Sequence, residues 1–170
     1  MAVRPAVATD IPLLLPLVQG YYHDSPVPLT IDSQAMAVHL DRLRSDTSLG
    51  HLLVATVDQE LAGFAILYRS FETRALKPLL IINDVYVAPK FRRHGLARQL
   101  MMAAFKLAES QGYSGASWQT LPAISALNIC MIKSANAKPA GYIITTTCPK
   151  IEKRQRLSHG NRCLFVYASP

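Results

Sequence analysis

The sequence predicts a mixed α/β domain with a central, largely antiparallel sheet flanked by helices. The 170 residues suit one domain with one sizeable core, because domains cluster at about 100–150 residues. Apolar residues at helical spacing alternate along the chain with strand-like runs. Two of those runs, within residues 51–70, are joined by the short polar segment "DQE", which is typical of an antiparallel hairpin.

The chain opens with a predicted strand and a predicted helix. "VRPA", residues 3–6, is strand-like, and residues 8–20 follow as a helix. Thr9 or Asp10 signals the start of this helix. Pro16 should kink or shorten it, because proline lacks the N–H that an interior helical turn needs.

A second helix is predicted over residues 33–45. Met36, Leu40 and Leu43 lie at helical spacing within it. The hairpin of residues 51–70 comes next. Two helices therefore precede the first long strands.

Residues 79–87, "LLIINDVYV", predict a central strand. A run with so few polar residues is typical of a strand covered on both faces. Asn83 and Asp84 are the anomaly in it. By simple alternation, Asn83 faces the opposite side of the strand from Asp84 and is expected to be structural.

A long helix is predicted after Pro89, where the apolar period changes from two to 3.6. Gly112 closes this helix. The short strand "SGASWQT", residues 114–120, follows, so a strand–helix–strand unit with a right-handed crossover is implied. The stripe that faces the sheet contains Leu96, Leu100, Ala104 and Leu107.

The last fifty residues are harder to interpret. Residues 123–137 could form a helix but lack charge patterning. Residues 141–147 and 162–168 are rich in β-branched and aromatic side chains and predict closing strands. "LLII" at 79–82 and the closing strand could supply a dimer edge, so a homodimer is left open.

Charge and composition exclude several classes of protein. The net charge is +7, and residues 121–170 hold seven Lys or Arg against one Asp or Glu. The basic "KIEKRQR" is short and lacks interleaved aromatics, so nucleic-acid binding is not expected. No apolar run approaches the roughly 18 residues that cross a bilayer. Asp10 and Pro12 interrupt any secretory segment, so we expect a cytoplasmic protein without a membrane partner.

Cysteine and histidine spacing predicts no metal site. The three cysteines have no CxxC pattern and are expected to be free thiols. The histidines are scattered without ligand spacing.

The segment "RRHGLA" joins the central strand to the long helix. The first N–H groups of a helix lack intrahelical partners, so such a junction is an anion site. Gly95 lets the backbone approach a ligand, Ala97 keeps the first turn slim, and Arg92, Arg93 and His94 can add charge-assisted bonds. The expected guest is a phosphate or pyrophosphate. The alternative is that the arginines are merely solvated and Gly95 caps a turn.

"VYVAPKFRRHGLARQLM" resembles motif A of the GNAT superfamily of N-acetyltransferases. The signature of that motif is a strand followed by R/Q-x-x-G-x-G/A, and Arg92, Gly95 and Ala97 fill it. "NDVYV" further resembles a subgroup with an N-D-hydrophobic-aromatic-V strand. The resemblance is good over residues 3–120 and poor afterwards. It implies one acetyltransferase domain over residues 1–170, with its sheet splayed at the strand that binds acetyl-CoA.

The resemblance also implies acetyl-CoA as cosubstrate. The pyrophosphate would lie on the N–H groups of Arg93 to Ala97, and the backbone of Val85 and Val87 would pair with the pantetheine arm like an added strand. No metal is implied. The residues implied in cofactor binding are Val85, Tyr86, Val87, Arg92, Arg93, His94, Gly95, Leu96, Ala97 and Arg98.

The implied reaction is direct attack of a primary amine, on a small molecule or peptide, at the thioester. An amine with a pKa of about 10.4 is neutral only about once in a thousand at neutral pH, so a base must take its proton. Asp84 is the candidate. A role as substrate anchor and a purely structural role remain open for it.

The family's usual Asn, followed seven residues on by the Tyr that protonates the thiolate, is not found. One alignment puts Ile124 and Met131 at these positions, and counting from Asn128 instead puts Ala135 at the second. Tyr142 remains as a candidate acid, although the family residue at this place normally packs in the core. A non-catalytic acyl-CoA-binding or regulatory module that has lost its acid is therefore the alternative function.

Three further aromatic residues have two interpretations each. Tyr21 and Tyr22, expected in the loop after the first helix, could shape an acceptor site or face solvent. Trp118 could line a pocket or pack in the core.

Overall fold

The computed structural model of the chain describes residues 1–25, 29–118 and 143–144. In this part of the chain the strands form one mixed sheet in the order β1-β2-β3-β4-β5-β6. β1 to β4 pair antiparallel in sequence, whereas β4 with β5 and β5 with β6 pair parallel. The prediction of a largely antiparallel sheet is confirmed. The strands are β1 Ala2–Pro5, β2 Gly50–Val57, β3 Glu60–Glu72, β4 Lys77–Val87, β5 Ala116–Trp118 and β6 Ile143–Ile144.

Helices cover both faces of the sheet. The helices are α1 Ile11–His23, α2 Ser33–Ser45 and α3 Leu96–Ser110. α1 and α2 bury their apolar side chains against one face, where Leu14, Leu40 and Phe64 are fully buried. α3 packs on the other face, where Leu67 and Leu100 are fully buried. The long predicted strand is therefore covered on both sides.

α1 ends later in the chain than the sequence predicted. Asp10 is the residue that precedes its first turn, in agreement with the predicted start. The helix continues through Pro16 to His23, so the proline does not shorten it. Leu14 before the proline and Tyr21 after it are both buried, and this burial stabilises the second half of the helix.

α2 and the β2–β3 hairpin match the sequence prediction closely. The Asp32 carboxylate caps α2 by accepting from the backbone N–H groups of Gln34 at 2.9 Å and Ala35 at 3.1 Å. Asp58 and Gln59, with φ of 48° and 68°, form the turn between β2 and β3. Positive φ at both turn positions is the conformation that two-residue hairpins favour.

β4 contains a β-bulge at Asn83. Across the ladder to β3, Asp84 pairs with Ile66 and Ile82 pairs with Leu67, so Asn83 is the extra residue. A bulge of this kind interrupts the alternation of side chains along a strand.

The bulge changes which residues of β4 face α3. Before it, the even-numbered Leu80 and Ile82 pack in the core on the α3 side. After it, the odd-numbered Val85 and Val87 do so. Asp84 therefore turns toward α1 rather than toward α3.

β5 pairs with a short part of β4. β5 pairs with β4 at Leu80 and Ile81, opposite Ala116 and Ser117. Within the described ranges, residues 83–87 of β4 pair with β3 alone. This part of β4 leads directly to the turn before α3, where the sequence predicts that the sheet splays.

Several expectations fall on residues that the structure does not describe. These are the helix over 123–137, the strand over 162–168, Tyr142 and the three cysteines; of residues 141–147, Ile143 and Ile144 lie in β6. In the described ranges no helix has the length and apolar character to cross a membrane. The same ranges contain no group of three or more His, Cys, Asp or Glu side chains placed to hold a metal ion.

Candidate active site

The junction between β4 and α3 is a turn that depends on glycine. A one-turn 3-10 helix, Pro89–Phe91, follows β4. Gly95 then adopts the left-handed conformation, with φ of 77°, immediately before α3 begins at Leu96. A Cβ added at Gly95 would meet no atom of the described residues within 4 Å. Gly95 is thus needed for its backbone conformation, and its open side leaves room for a ligand.

The N-terminus of α3 presents uncapped backbone donors. The first helical hydrogen bond runs from the N–H of Gln99 to the carbonyl of Gly95, at 3.0 Å. The N–H groups of Leu96 and Ala97 precede that bond and have no acceptor within the helix. In the described part of the chain, no side-chain hydrogen bond caps this end. The positive end of the helix dipole and these donors suit an anion, so the residues present fit the pyrophosphate of acetyl-CoA.

Arg92, predicted to bind that phosphate, is held by protein groups. Its Nη2 lies 2.8 Å from Oδ2 of Asp24, and its Nε donates to the carbonyl of Val87 at 2.9 Å. Its guanidinium also lies over the ring of Tyr86, 5.5 Å from the ring centre. Arg92 therefore ties the end of α1 to the end of β4. The sequence contains no local signal for Asp24 as its partner.

The other basic side chains of the motif lie on the surface near the turn. Arg93 and His94 are exposed just before Gly95, and Arg98 is exposed on the first turn of α3. Arg93 has a φ of 67°, an uncommon backbone conformation for a residue with a side chain. Exposed basic residues thus lie directly before the start of α3 and on its first turn.

Asp84 is buried and held by two donors. Only 4% of it is exposed. The hydroxyl of Tyr21 donates to Oδ1 at 2.7 Å, and Nδ2 of Asn83 donates to Oδ2 at 2.9 Å. Burial raises the pKa of Asp84, and the hydrogen bonds from Tyr21 and Asn83 offset only part of that rise. This carboxylate therefore holds a proton more tightly than an ordinary aspartate does.

Tyr21 is a core residue of α1, not a loop residue as expected. It is 3% exposed. Its ring makes edge contacts with Tyr22, Tyr86 and Phe64 at centre distances of 5.1, 6.0 and 6.2 Å. These contacts fix the ring whose hydroxyl meets Asp84.

Asp24 and Tyr86 continue this polar group toward the α3 turn. Oδ2 of Asp24 lies 3.5 Å from the Tyr86 hydroxyl. Burial acts to raise the pKa of Asp24, but the hydrogen bonds and charges of Arg92 and His23 outweigh it, and the pKa is lowered. Burial and the Asp24 charge raise the pKa of Tyr86. At neutral pH, Asp24 is therefore ionised and Tyr86 keeps its proton.

Trp118 belongs to the core. It is 2% exposed and packs against Phe105, with ring centres 5.6 Å apart. Of the two interpretations of this residue, the structure supports packing.

Comparison with known proteins identifies the family. Residues 17–128 match the Acetyltransferase (GNAT) family. The chain is 31% identical over 125 residues to the uncharacterized N-acetyltransferase YhfO of Bacillus subtilis strain 168, an alignment that spans 71% of this chain and 77% of that protein. It is 32% identical over 83 residues to a thialysine N-epsilon-acetyltransferase of Caenorhabditis elegans, with 48% of this chain and 51% of that enzyme aligned.

A solved structure agrees with this assignment at the level of the fold. The crystal structure of a probable acetyltransferase superposes with a TM-score of 0.66 at 21% identity, and the match covers 96% of this chain and 99% of that one. The chain belongs to the Acetyltransferase (GNAT) family, whose members use acetyl-CoA, and is an N-acetyltransferase. The resemblance of motif A is thereby confirmed.

Proposed function

We propose that the chain binds acetyl-CoA at the β4–α3 junction and transfers the acetyl group to a primary amine of a small molecule or peptide. The observation that carries this proposal is the position of Asp84. A buried carboxylate of raised pKa lies on the strand that leads to the N-terminus of α3, which no described side chain caps. β4 thus contains the proposed proton acceptor and ends beside the proposed anion site at the start of α3.

Cofactor binding is assigned to backbone more than to side chains. The N–H groups of Leu96 and Ala97 would hold the pyrophosphate, and the edge of β4 at Val85 and Val87 would pair with the pantetheine arm. Arg92 would act by holding the turn in place, since its side chain already binds Asp24. Bound acetyl-CoA supplies the thioester from which the acetyl group is taken.

Asp84 would remove the proton from the attacking amine, directly or through a water. A positioned base contributes about 10²–10⁴ in rate. The base acts in its ionised form, and burial raises the pKa of Asp84. The acid limb of the rate profile therefore lies at higher pH than an unperturbed aspartate would give.

A primary amine is the acceptor class that the relatives support. One relative is named as a thialysine N-epsilon-acetyltransferase. The net charge of +7 argues against a polycationic acceptor, because like charges repel. The relatives that are named as N-acetyltransferases favour transfer over the non-catalytic acyl-CoA-binding alternative.

Release of CoA thiol from acetyl-CoA tests this function. The wild type is assayed with thialysine, lysine, a polyamine and an aminoglycoside, beside Asp84→Asn. Asp41→Asn is the matched control, because Asp41 is exposed on α2 and pairs with Arg44. We expect turnover of at least one amine, a fall of about 10²-fold or more in Asp84→Asn, and no change in Asp41→Asn.

Two results would contradict the proposal in different ways. Binding of acetyl-CoA without turnover of any amine would support the binding-module alternative. Wild-type turnover by Asp84→Asn would remove Asp84 from the role of base and leave the family assignment intact.

A further inference from the structure

Both oxygens of Asp84 are held, each by a donor from a different direction. The Tyr21 hydroxyl donates to Oδ1 at 2.7 Å from α1, the helix that packs on this face of the sheet. Asn83 reaches Oδ2 from the neighbouring position of β4 at 2.9 Å. A carboxylate oxygen can accept two hydrogen bonds, so each oxygen keeps capacity for a further proton donor after these contacts.

The bulge at Asn83 creates this arrangement. Without the extra residue, the alternation that puts Leu80 and Ile82 on the α3 side would put Asp84 there too. With it, Asp84 faces Tyr21, and the Asn83 amide comes within hydrogen-bonding distance of the carboxylate beside it. An irregularity that re-aims a side chain next to an active site is a recurrent use of β-bulges.

We propose that Tyr21 and Asn83 are positioning residues for the transfer reaction, and that they hold the Asp84 carboxylate in the orientation and ionised form in which it accepts the proton of the amine. The inference rests on the proposed function. Hydrogen bonds to an ionised carboxylate favour that form and oppose the effect of burial. Removing either donor should leave the fold intact and make Asp84 a base only at higher pH.

Within the described residues, few other polar groups face Asp84. α1 contributes Asp24 one turn further on, where Arg92 neutralises it. β4 contributes Tyr86, which keeps its proton at neutral pH. The neighbours from β3 and α2 on this face include the apolar Ile66 and Leu40. They also include Tyr68 of β3, whose hydroxyl lies 2.8 Å from Nε2 of His39 on α2. Among the described residues, Tyr21 and Asn83 thus donate the hydrogen bonds that bear most directly on the protonation state of Asp84.

The first test follows the carboxyl group itself and needs no acceptor. The ¹³C signal of the Asp84 carboxyl is titrated in protein labelled at the aspartate carboxyl carbon and is assigned by its loss in Asp84→Asn. We expect the midpoint to shift to higher pH in Tyr21→Phe and in Asn83→Ala. Tyr113→Phe is the matched control, because its hydroxyl bonds His51 on the other face of the sheet. An unchanged midpoint in Tyr21→Phe would overturn the proposal.

The second test uses the ratio of kcat/KM between Tyr21→Phe and wild type across pH, with an amine that the wild type acetylates. The titration of the amine is common to both proteins and cancels. We expect the ratio to fall to about one tenth at low pH, because a hydrogen bond to a charged group is lost, and to recover toward one at high pH. A constant ratio would mean that Tyr21 only packs.

A double variant separates this proposal from the proposed function. If Tyr21 acts through Asp84, adding Tyr21→Phe to Asp84→Asn should cause no further loss. An additive loss would contradict the positioning role while leaving Asp84 as the base. Full activity in Asp84→Asn would instead refute the proposed base, whatever Tyr21→Phe does.

Discussion

The ion pair between Asp24 and Arg92 should stabilise the junction measurably. Asp24→Asn removes the charge and keeps the shape. The Nη2–Oδ2 distance is 2.8 Å, and the two side chains are 20% and 29% exposed. Exposed pairs contribute about 0.2–1 kcal/mol, and breaking a buried pair costs about 3–5 kcal/mol. This partly buried pair lies between, so we expect a loss of about 1–2 kcal/mol at neutral pH.

The pH dependence of that loss follows from the lowered pKa of Asp24. A carboxyl whose pKa is lower in the folded state adds stability above its unfolded pKa of about 3.9, and this is lost as the pH falls through the folded value. The difference in the free energy of unfolding between wild type and Asp24→Asn should therefore have its full value at pH 7 and become smaller below about pH 4.

Urea unfolding at pH 7 and pH 3 measures the effect directly. Asp41→Asn is the control, because its pair with Arg44 is an exposed pair within α2 and should contribute only about 0.3–0.5 kcal/mol. Equal losses in the two variants at pH 7 would refute the reasoning about burial. A loss in Asp24→Asn that persists unchanged at pH 3 would refute the electrostatic cause.

Three further predictions concern buried positions. Burial raises the pKa of Asp84, so the contribution of this carboxyl group to stability is greatest below about pH 4 and is lost as the pH rises. Asp84→Asn should therefore raise Tm at pH 8. A lowered Tm at pH 8 would contradict this prediction. Gly63→Ala should cost about 1–3 kcal/mol in urea unfolding, since the new Cβ would lie 2.3 Å from the Tyr86 carbonyl oxygen; unchanged stability would show that the strands can separate. Burial lowers the pKa of His51, so the wild type should lose stability faster than His51→Leu as the pH falls from 7 to 5. An equal loss of stability in the two proteins over this pH range would contradict the prediction.

The junction could be predicted from the sequence because its signals are local. Proline after the strand, glycine in the turn and the apolar stripe of the helix lie within a few residues of one another. The position of Asp84 on β4 was predicted for the same reason. The motif A resemblance assigned Arg92 and Gly95 to the turn between β4 and α3, and both residues lie in that turn.

The partners of these residues could not be predicted, because they come from distant parts of the sequence. Tyr21 and Asp84 are 63 positions apart, and Asp24 and Arg92 are 68 apart. The bulge at Asn83 is defined only by its register with β3. Tyr21 itself was expected in a loop, since the pattern ended near residue 20, whereas burial against the sheet extends the helix to include it.

Titration of acetyl-CoA into wild type, Gly95→Glu and Gly112→Glu tests the central claim most directly. Both glycines have positive φ, 77° and 72°, and at neither would an added Cβ come within 4 Å of an atom that the structure describes. Both variants therefore introduce the same backbone strain and the same charge, at opposite ends of α3. We predict similar Kd values for wild type and Gly112→Glu. The Kd of Gly95→Glu should be higher by roughly tenfold or more, because the new carboxylate would repel an anion at the helix N-terminus. Equal binding by all three proteins, or no binding by the wild type, would contradict the claim that this junction holds acetyl-CoA.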